Sequence, residues 1–567
     1  MPRRTALVLL LALLAGTLTA GIAHQGISRF SSDSFHYMLL GDALAHGRGF
    51  ASGGSQHPDL TRAPLLPLMI APLIWVLGDP VRAGIAAITL CAAALALPLF
   101  FLCRNLFGPR AGYAALPLAS LSCVVGTADR VLPTGLHLLG LMATAALMVR
   151  SLKRGRPFDA FWVGVAGGLT ALARPEGLPF LALPVGWTLL GPWPFAEGLP
   201  PARPLRTRLA VAAWIVAGAA LCYGPYAGWA SARLHRLALL PSLQYVNDTR
   251  YVSDRFGLRG MTPFIPWEER ALFLLTADGQ ERVLDLYFHT RRMPDARTSQ
   301  TLPQAATAGP ENPARTRNLV ARRIQIARRN LRLVPSHLRG GAHLLPPLPL
   351  LLGLVGVIAC LTRRGGWRPL LFTAALMGFG LLPVVTNLED RFLYAPFAAG
   401  LVVAAAGWGE IDRRTSTRLP ATARIALHAA LLCGIAASGM THRMTESPKL
   451  DLELAQRTLA ARAQPSLPPG PILAVRPHFP FWAGRAYGPL PILGPEEVLA
   501  FARKHGVQAL ILQVPYDVKN RPQLAALAQA IPPPGFTRID RQPIAGGGEL
   551  LLFRLGLSGR GTLGGAP

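Results

Sequence analysis

This chain carries little charge. Only 15% of its 567 residues are charged, and 29 acidic residues face 57 basic ones. So little charge excludes a disordered or heavily solvated polypeptide, because half of the residues are apolar and they fall in long blocks, not at amphipathic spacing. Cysteine is scarce too. Cys91, Cys103, Cys123, Cys222, Cys360 and Cys433 all lie inside apolar blocks without metal-ligand spacing, so they read as small buried hydrophobes and supply no disulfide or zinc framework. No phosphate-binding glycine loop is present: Ala545-Gly546-Gly547-Gly548 has no helix after it and reads as a turn between strands. Nucleic acid is excluded as a partner. The net charge of +28, almost wholly arginine, has no soluble basic domain with interleaved aromatics to carry it, and it points to anionic lipid or phosphate instead.

What the chain does have is apolar length. Spans are predicted at Thr5–Ala23, Val81–Cys103, Ala111–Gly126, Val131–Val149, Phe158–Ala173, Leu178–Trp193, Leu209–Trp229, Leu344–Leu361, Leu370–Val385, Phe392–Trp408 and Ile425–Met440. The expected fold class is therefore an all-α polytopic membrane domain of about 11 helices. Pro64–Leu77, apolar but short and proline-rich, reads as a re-entrant or interfacial segment. Thr5–Ala23 follows a basic head and reads as a retained anchor, being longer than a usual signal core, with a signal peptide ending at the small residues Gly21-Ile22-Ala23 as its alternative.

Arginines and lysines of the short loops set the orientation. Arg104 with Arg110, Arg150 through Arg156, Arg203 through Arg208, Arg363 through Arg368, and Arg413 through Arg418 all fall on the cytoplasmic side if the amino terminus is inside. The same threading sends Asp33, Asp129, Arg174 with Glu176, and Glu389, Asp390 and Arg391 to the outer face of an inner (plasma) membrane. Four loops far apart in sequence thus deliver polar clusters to one side, and a shared site accounts for that most simply.

The predicted domains are residues 1–230 with an outer loop at 24–80, a long outer loop at 231–342, a second group of membrane helices at 343–441, and a soluble tail at 442–567. In the long loop, Arg315–Leu333 reads either as an amphipathic surface helix or as a solvated face, and Pro294–Pro313 as a linker. The tail alternates as a small α/β domain outside the membrane. Strands are expected at Ile472–Val475, Val507–Gln513, near Phe536–Ile539 and at Glu549–Phe553, and helices at Pro495–Lys504 and Pro522–Ala530.

Several motifs carry a family resemblance. Asp33-x-x-x-Tyr37, Ala43-Leu44-Ala45-His46-Gly47-Arg48-Gly49-Phe50 and Arg62-Ala63-Pro64-Leu65-Leu66-Pro67-Leu68 resemble the first outer loop of the C-type glycosyltransferases. More narrowly, they are similar to the family that holds the protein O-mannosyltransferases and the lipid A aminoarabinose transferase. Ala173-Arg174-Pro175-Glu176-Gly177, Tyr223-Gly224-Pro225-Tyr226 and Glu389-Asp390-Arg391-Phe392-Leu393-Tyr394-Ala395-Pro396 follow in order. The resemblance covers about Thr5 to Gly409. It implies transfer of a sugar from a polyprenyl-phosphate carrier, among membrane lipids, to a protein, lipid or polysaccharide acceptor.

Such a donor reacts through an oxocarbenium-like transition state, in which the acceptor oxygen loses a proton and the lipid phosphate leaves as an anion. The resemblance gives Asp33 the part of general base, with a helix N-cap as its alternative. Arg62, Arg174 and Arg391 are the donor-phosphate ligands it implies, against a snorkelling role for Arg62 and ion pairs for the other two. Tyr37, His57, Asp129, Glu176 and Tyr394 are expected around the substrate, the tyrosines having interface-belt roles as their alternative. Relatives carry a second acid where this chain has Ser34. One carboxylate is then left for the base, and a divalent ion is left without a firm ligand set, with Asp33 and His36 or His57 its only donors in view. Other activities in view are a lipid-linked sugar transporter or flippase, a polysaccharide polymerase or ligase, and an assembly partner with a decayed site.

Overall fold

Alternation of apolar blocks with arginine clusters builds a mostly helical chain with a small sheet near its carboxyl end. The structure, a computed structural model, describes residues 30–50, 62–121, 130–190, 204–234, 347–381, 393–444 and 448–556, with short breaks and a few isolated positions besides. Thr5–Ala23, His57, Asp129, the Glu389–Arg391 cluster and nearly all of the 231–342 loop lie outside the described residues. The helices are α1 (Ser32–Ala45), α2 (Leu65–Leu77), α3 (Pro80–Ala94), α4 (Ala96–Phe107), α5 (Pro109–Leu121), α6 (Thr134–Arg154), α7 (Pro157–Ala173), α8 (Gly177–Phe180), α9 (Ala182–Leu190), α10 (Leu205–Leu234), α11 (Pro347–Leu361), α12 (Trp367–Gly380), α13 (Tyr394–Thr415), α14 (Ala421–Met444) and α15 (Pro448–Ala463). Two units emerge. One holds residues 62–242 and 310–446, the other 29–61 and 447–567.

In the helical unit, four described helices are long and apolar enough to cross a membrane: Pro80–Phe107, Thr134–Arg154, Leu205–Ala232 and Tyr394–Thr415. The eleven expected spans are not confirmed among the described residues. Pro157–Ala173, Gly177–Leu190, Leu348–Leu361 and Ala421–Ala437 are apolar but shorter, and 17 residues make a helix of only about 26 Å against a hydrocarbon core of about 30 Å. Leu65–Leu77 is also short, as expected of an interfacial segment, and Leu68, Trp75 and Val76 are exposed along it.

Ion pairs gather the ends of these helices. Glu410 is 4% exposed and accepts from Arg413 at 2.7 and 2.8 Å, from Arg414 at 2.8 Å, and from Arg363. Two residues on, Asp412 meets Arg110 at 3.0 Å and His428 at 3.1 Å. Lys153 donates to the Asn105 carbonyl, and Arg150 pairs with Asp159. Arg110, Arg363, Arg413 and Arg414 of the predicted cytoplasmic clusters thus meet around Glu410 and Asp412 at the carboxyl end of α13, a basic end of the bundle.

Glycine sets the closest helix contacts. A Cβ on Gly164 of α7 would overlap the Ile215 carbonyl of α10, one on Gly218 would overlap the Phe161 carbonyl, and Gly356 and Gly407 do the same between α11 and α13. Backbones approach this closely only where side chains are missing.

The second unit carries a five-stranded sheet. Its strands are β1 (Ile472–Ala474), β2 (Tyr487–Pro489), β3 (Ala509–Val514), β4 (Phe536–Pro543) and β5 (Glu549–Leu555), in the order β2-β1-β3-β5-β4. β1 runs parallel to β2 and β3, whereas β5 runs antiparallel to β3 and β4, with Leu510 opposite Phe553. Strand alternation sends Leu473, Leu510, Leu512 and Phe553 to a core with Val498 and Ala502 of the Pro495–Lys504 helix. Ile472, Ile511, Leu550 and Leu552 go to the other face, with Leu459 and Ala463 of α15. The Pro495–Lys504 helix has the predicted bounds, and Pro522–Ala528 is a 3₁₀ turn where an α-helix was expected. The turn at Gly547 and Gly548 does join two strands. Gly548 has φ 94°, and a Cβ there would overlap the Val514 carbonyl.

Candidate functional site

Asp33 sits in the first turn of α1, and the sequence explains why a helix starts there. Ser31 is the N-cap: its Oγ accepts from the Ser34 amide at 3.3 Å, while Ser34 Oγ accepts from the Ser31 amide at 3.1 Å. Capping is thus done by the two serines and not by Asp33, and the Ser34 hydroxyl is fully buried. Asp33 itself is half-buried, at a helix end that favours negative charge.

Both flanks of Asp33 are tied to the carboxyl-terminal part of the chain. Ahead of it, the Phe30 amide donates to Glu453 Oε2 at 3.0 Å, and the Phe30 ring lies 5.7 Å from Trp482. After it, Phe35 is fully buried with its ring centroid 4.7 Å from those of His478 and Phe481 and 5.8 Å from Trp482. Burying a phenylalanine this fully stabilises the unit by about 2–3 kcal/mol. Arg457 stacks on Trp482 at 4.0 Å and pairs with Glu453 at 2.7 Å. Tyr37 is buried in the same unit, so it is no exposed belt residue.

Burial, the charge of Arg476 and that of His36 together depress the His478 imidazole to about 3, against a partial opposing effect from the Phe30 backbone. A folded-state value below the unfolded one means that stability is complete above about pH 6.5 and is lost as pH falls toward 3, by up to about 1.4 kcal/mol per pH unit. Glu453 acts in the opposite sense, since burial raises its carboxyl despite the Phe30 amide and Arg457. His478→Phe should flatten the acid limb of a thermal-unfolding profile between pH 6.5 and 3. An unaltered limb would show that this histidine does not titrate with unfolding.

The helical unit contributes the remaining described residues. Arg62 is 7% exposed, which is too buried for a snorkelling arginine. Leu65, three residues later, packs with Ala171, Leu172, Leu178, Tyr223 and Tyr226. That one apolar cluster brings together the Arg62, Arg174–Glu176 and Tyr223–Tyr226 segments, which are distant in sequence. Phe180 meets Phe379 at 6.0 Å, and Gly380 lies against Ala395 and Pro396, which brings the start of α13 with buried Tyr394 to the same end of the bundle. This end is opposite the basic one.

Arg174 pairs with Glu176 through Nη2–Oε1 at 3.2 Å and Nε–Oε2 at 3.4 Å, so the ion pair weighed as an alternative to ligand binding is present. Burial pushes the Glu176 carboxyl up, but Arg174, with His137, outweighs it and leaves it below its ordinary value. His137 is a residue the motifs did not single out. It is 8% exposed, one turn into α6, and its Nδ1 has no hydrogen-bond partner among the described residues. The available signal was a histidine inside an otherwise apolar span. Among the described residues no three His, Cys, Asp or Glu side chains group as metal ligands.

Residues 57–195 match the family model of the dolichyl-phosphate-mannose-protein mannosyltransferases. The matched stretch includes His57, Arg62, Asp129, Arg174 and Glu176 and begins beyond Asp33. No curated protein matches the sequence. Among solved structures, the chain is similar to the oligosaccharyltransferase AglB from Archaeoglobus fulgidus in complex with an inhibitory peptide and a dolichol-phosphate. The TM-score is 0.55 at 12% identity, covering 92% of this chain and 71% of that one. It is similar as well to ArnT from Cupriavidus metallidurans bound to undecaprenyl phosphate, with a TM-score of 0.53 at 11% identity over 98% of both chains. ArnT in the apo state gives 0.55 at 13% identity, over 99% of this chain and 100% of that one. Residues 57–195 thus resemble that mannosyltransferase family, and the fold resembles those of AglB and ArnT.

Proposed function

We propose that this chain is an integral-membrane glycosyltransferase that moves a sugar from a polyprenyl-phosphate carrier to an acceptor on the outer face of the inner membrane, with its amino terminus in the cytoplasm. The observation that carries this reading is the buried guanidinium of Arg62, in a segment packed with those of Arg174 and Tyr223 at the bundle end opposite the basic clusters. A lipid phosphate would meet Arg62 there, and guanidinium matches two phosphate oxygens at once.

Asp33 takes the proton of the acceptor hydroxyl as the glycosyl–oxygen bond to the phosphate breaks. Arg62, Arg174 and Arg391 stabilise the negative charge that develops on the departing phosphate. Glu176 holds the Arg174 fork in place, and Tyr37, His57, Asp129 and Tyr394 shape the sugar pocket. The acceptor belongs to one of three classes: protein, lipid or polysaccharide.

The full chain in proteoliposomes with labelled polyprenyl-phosphate hexoses and pentoses tests the reading. Arg62→Ala should raise the apparent donor KM by about 10- to 100-fold, the worth of one charge-assisted phosphate contact of roughly 1.5–3 kcal/mol. Arg62→Lys, which keeps the charge, should recover part of that loss. Donor that crosses the bilayer without being cleaved would instead identify a transporter.

A further inference from the structure

A 14-residue helix such as α1 is marginal by itself in water. Helix α1 is held by what it touches along its length, with Met38 and Leu40 fully buried, and a set of aromatic contacts flanks its first turn. Phe30 and Phe35 bracket Asp33, and both insert among side chains supplied by α15 and by the short helix His478–Trp482. The chain closes this box with one backbone bond, from the Phe30 amide to the Glu453 carboxylate, across 423 residues of sequence. Glu453 is 5% exposed and is itself fixed by Arg457, whose guanidinium stacks on Trp482 at 4.0 Å and on Phe30 at 5.5 Å. One arginine therefore pins the acceptor of the Phe30 amide and both aromatic walls. Tight pinning of this kind is more than is needed to cover a sheet edge, and it converges on the turn that carries the carboxylate.

We infer that Glu453, Arg457 and Trp482 are positioning residues for Asp33: the carboxyl-terminal domain fixes the catalytic turn, apart from any part it plays in recognising the acceptor. The inference rests on the proposed role of Asp33 as general base. Displacing a reacting group by about 1 Å costs on the order of 10² in rate, so loosening the box acts on turnover and spares donor binding.

Arg457→Ala, Trp482→Ala and Arg457→Lys in the full-length reconstituted protein decide the matter, with transfer kinetics and amide hydrogen exchange measured together. Arg457→Ala and Trp482→Ala should each lower kcat by about 30- to 100-fold with the donor KM within about twofold. Amides of residues 34–45 should exchange faster while those of β3 and β5 keep their protection. Arg457→Lys retains charge and pairing and should restore most of kcat. Arg457 is partly exposed at the rim of the box, so its variant decides if Trp482→Ala unfolds the sheet. Normal kcat in Arg457→Ala with an intact sheet, or unchanged exchange in residues 34–45, overturns the inference. An Asp33→Asn variant of normal activity would instead overturn the general-base reading, and the exchange result would still show whether the box holds α1.

Discussion

Asp33→Asn is expected to lower sugar transfer by about 10² to 10⁴, the usual worth of a positioned general base. The substitution keeps the size and shape of the side chain and removes only its capacity to take a proton. Helix α1 should survive it, because the cap belongs to Ser31 and Ser34 and the anchoring to Phe30 and Phe35. The loss of one favourable charge at a helix amino terminus costs about 0.3–1 kcal/mol. Donor KM, measured with the same labelled carrier lipids, should stay near its original value, since the phosphate contacts are assigned to arginines. Single-turnover transfer is the measurement that isolates the step. Transfer at the original rate by a folded Asp33→Asn protein would remove Asp33 from the chemistry, whatever else the chain does.

Gly164→Val should have the largest effect on the fold itself. In α7, Gly164 and Gly168 lie against the α10 backbone at Ile215 and Ala219, and Gly218 of α10 lies against the Phe161 carbonyl in return. Backbone has no rotamer by which to yield, so the added carbons must separate the two helices along the whole contact. Overpacking of a yielding core costs about 1–3 kcal/mol, and a rigid seam of this kind should exceed about 3 kcal/mol. Gly228→Val on the same α10 is the control, because nothing lies within 4 Å of a Cβ at that position. Thermal unfolding and size-exclusion profiles in detergent compare the two. Melting of Gly164→Val within a few degrees of the unaltered protein would mean that the helices are free to repack.

Much of the tail could be read from sequence because strand signals are local. Ile472, Pro495–Lys504, Phe536 and Glu549 announce themselves by period-two alternation, proline and glycine punctuation, or a helical stripe, and elements appear where those signals stand. Helix α15, by contrast, went unmarked. Its apolar residues are interleaved with Glu453, Arg457 and Arg462, whose burial or pairing depends on partners elsewhere in the chain. Hydropathy also placed the breaks at Arg174–Glu176 and Gly365–Gly366 between apolar blocks, and the helices do end and restart there.

Composition and the placement of arginine alone determined that this is a chain of apolar helices with basic flanks at one end, since hydrophobicity and charge are properties each residue carries wherever it lies. Tertiary structure alone decided that the segments carrying Arg62, Arg174 and Tyr223 meet on one apolar cluster, that glycines set the spacing of α7 and α10, and that the turn bearing Asp33 is fastened to Glu453, Arg457 and Trp482. These are contacts between residues from tens to hundreds of positions apart. No local pattern encodes which distant surface a side chain will meet, because that choice is made by the packing of the whole chain.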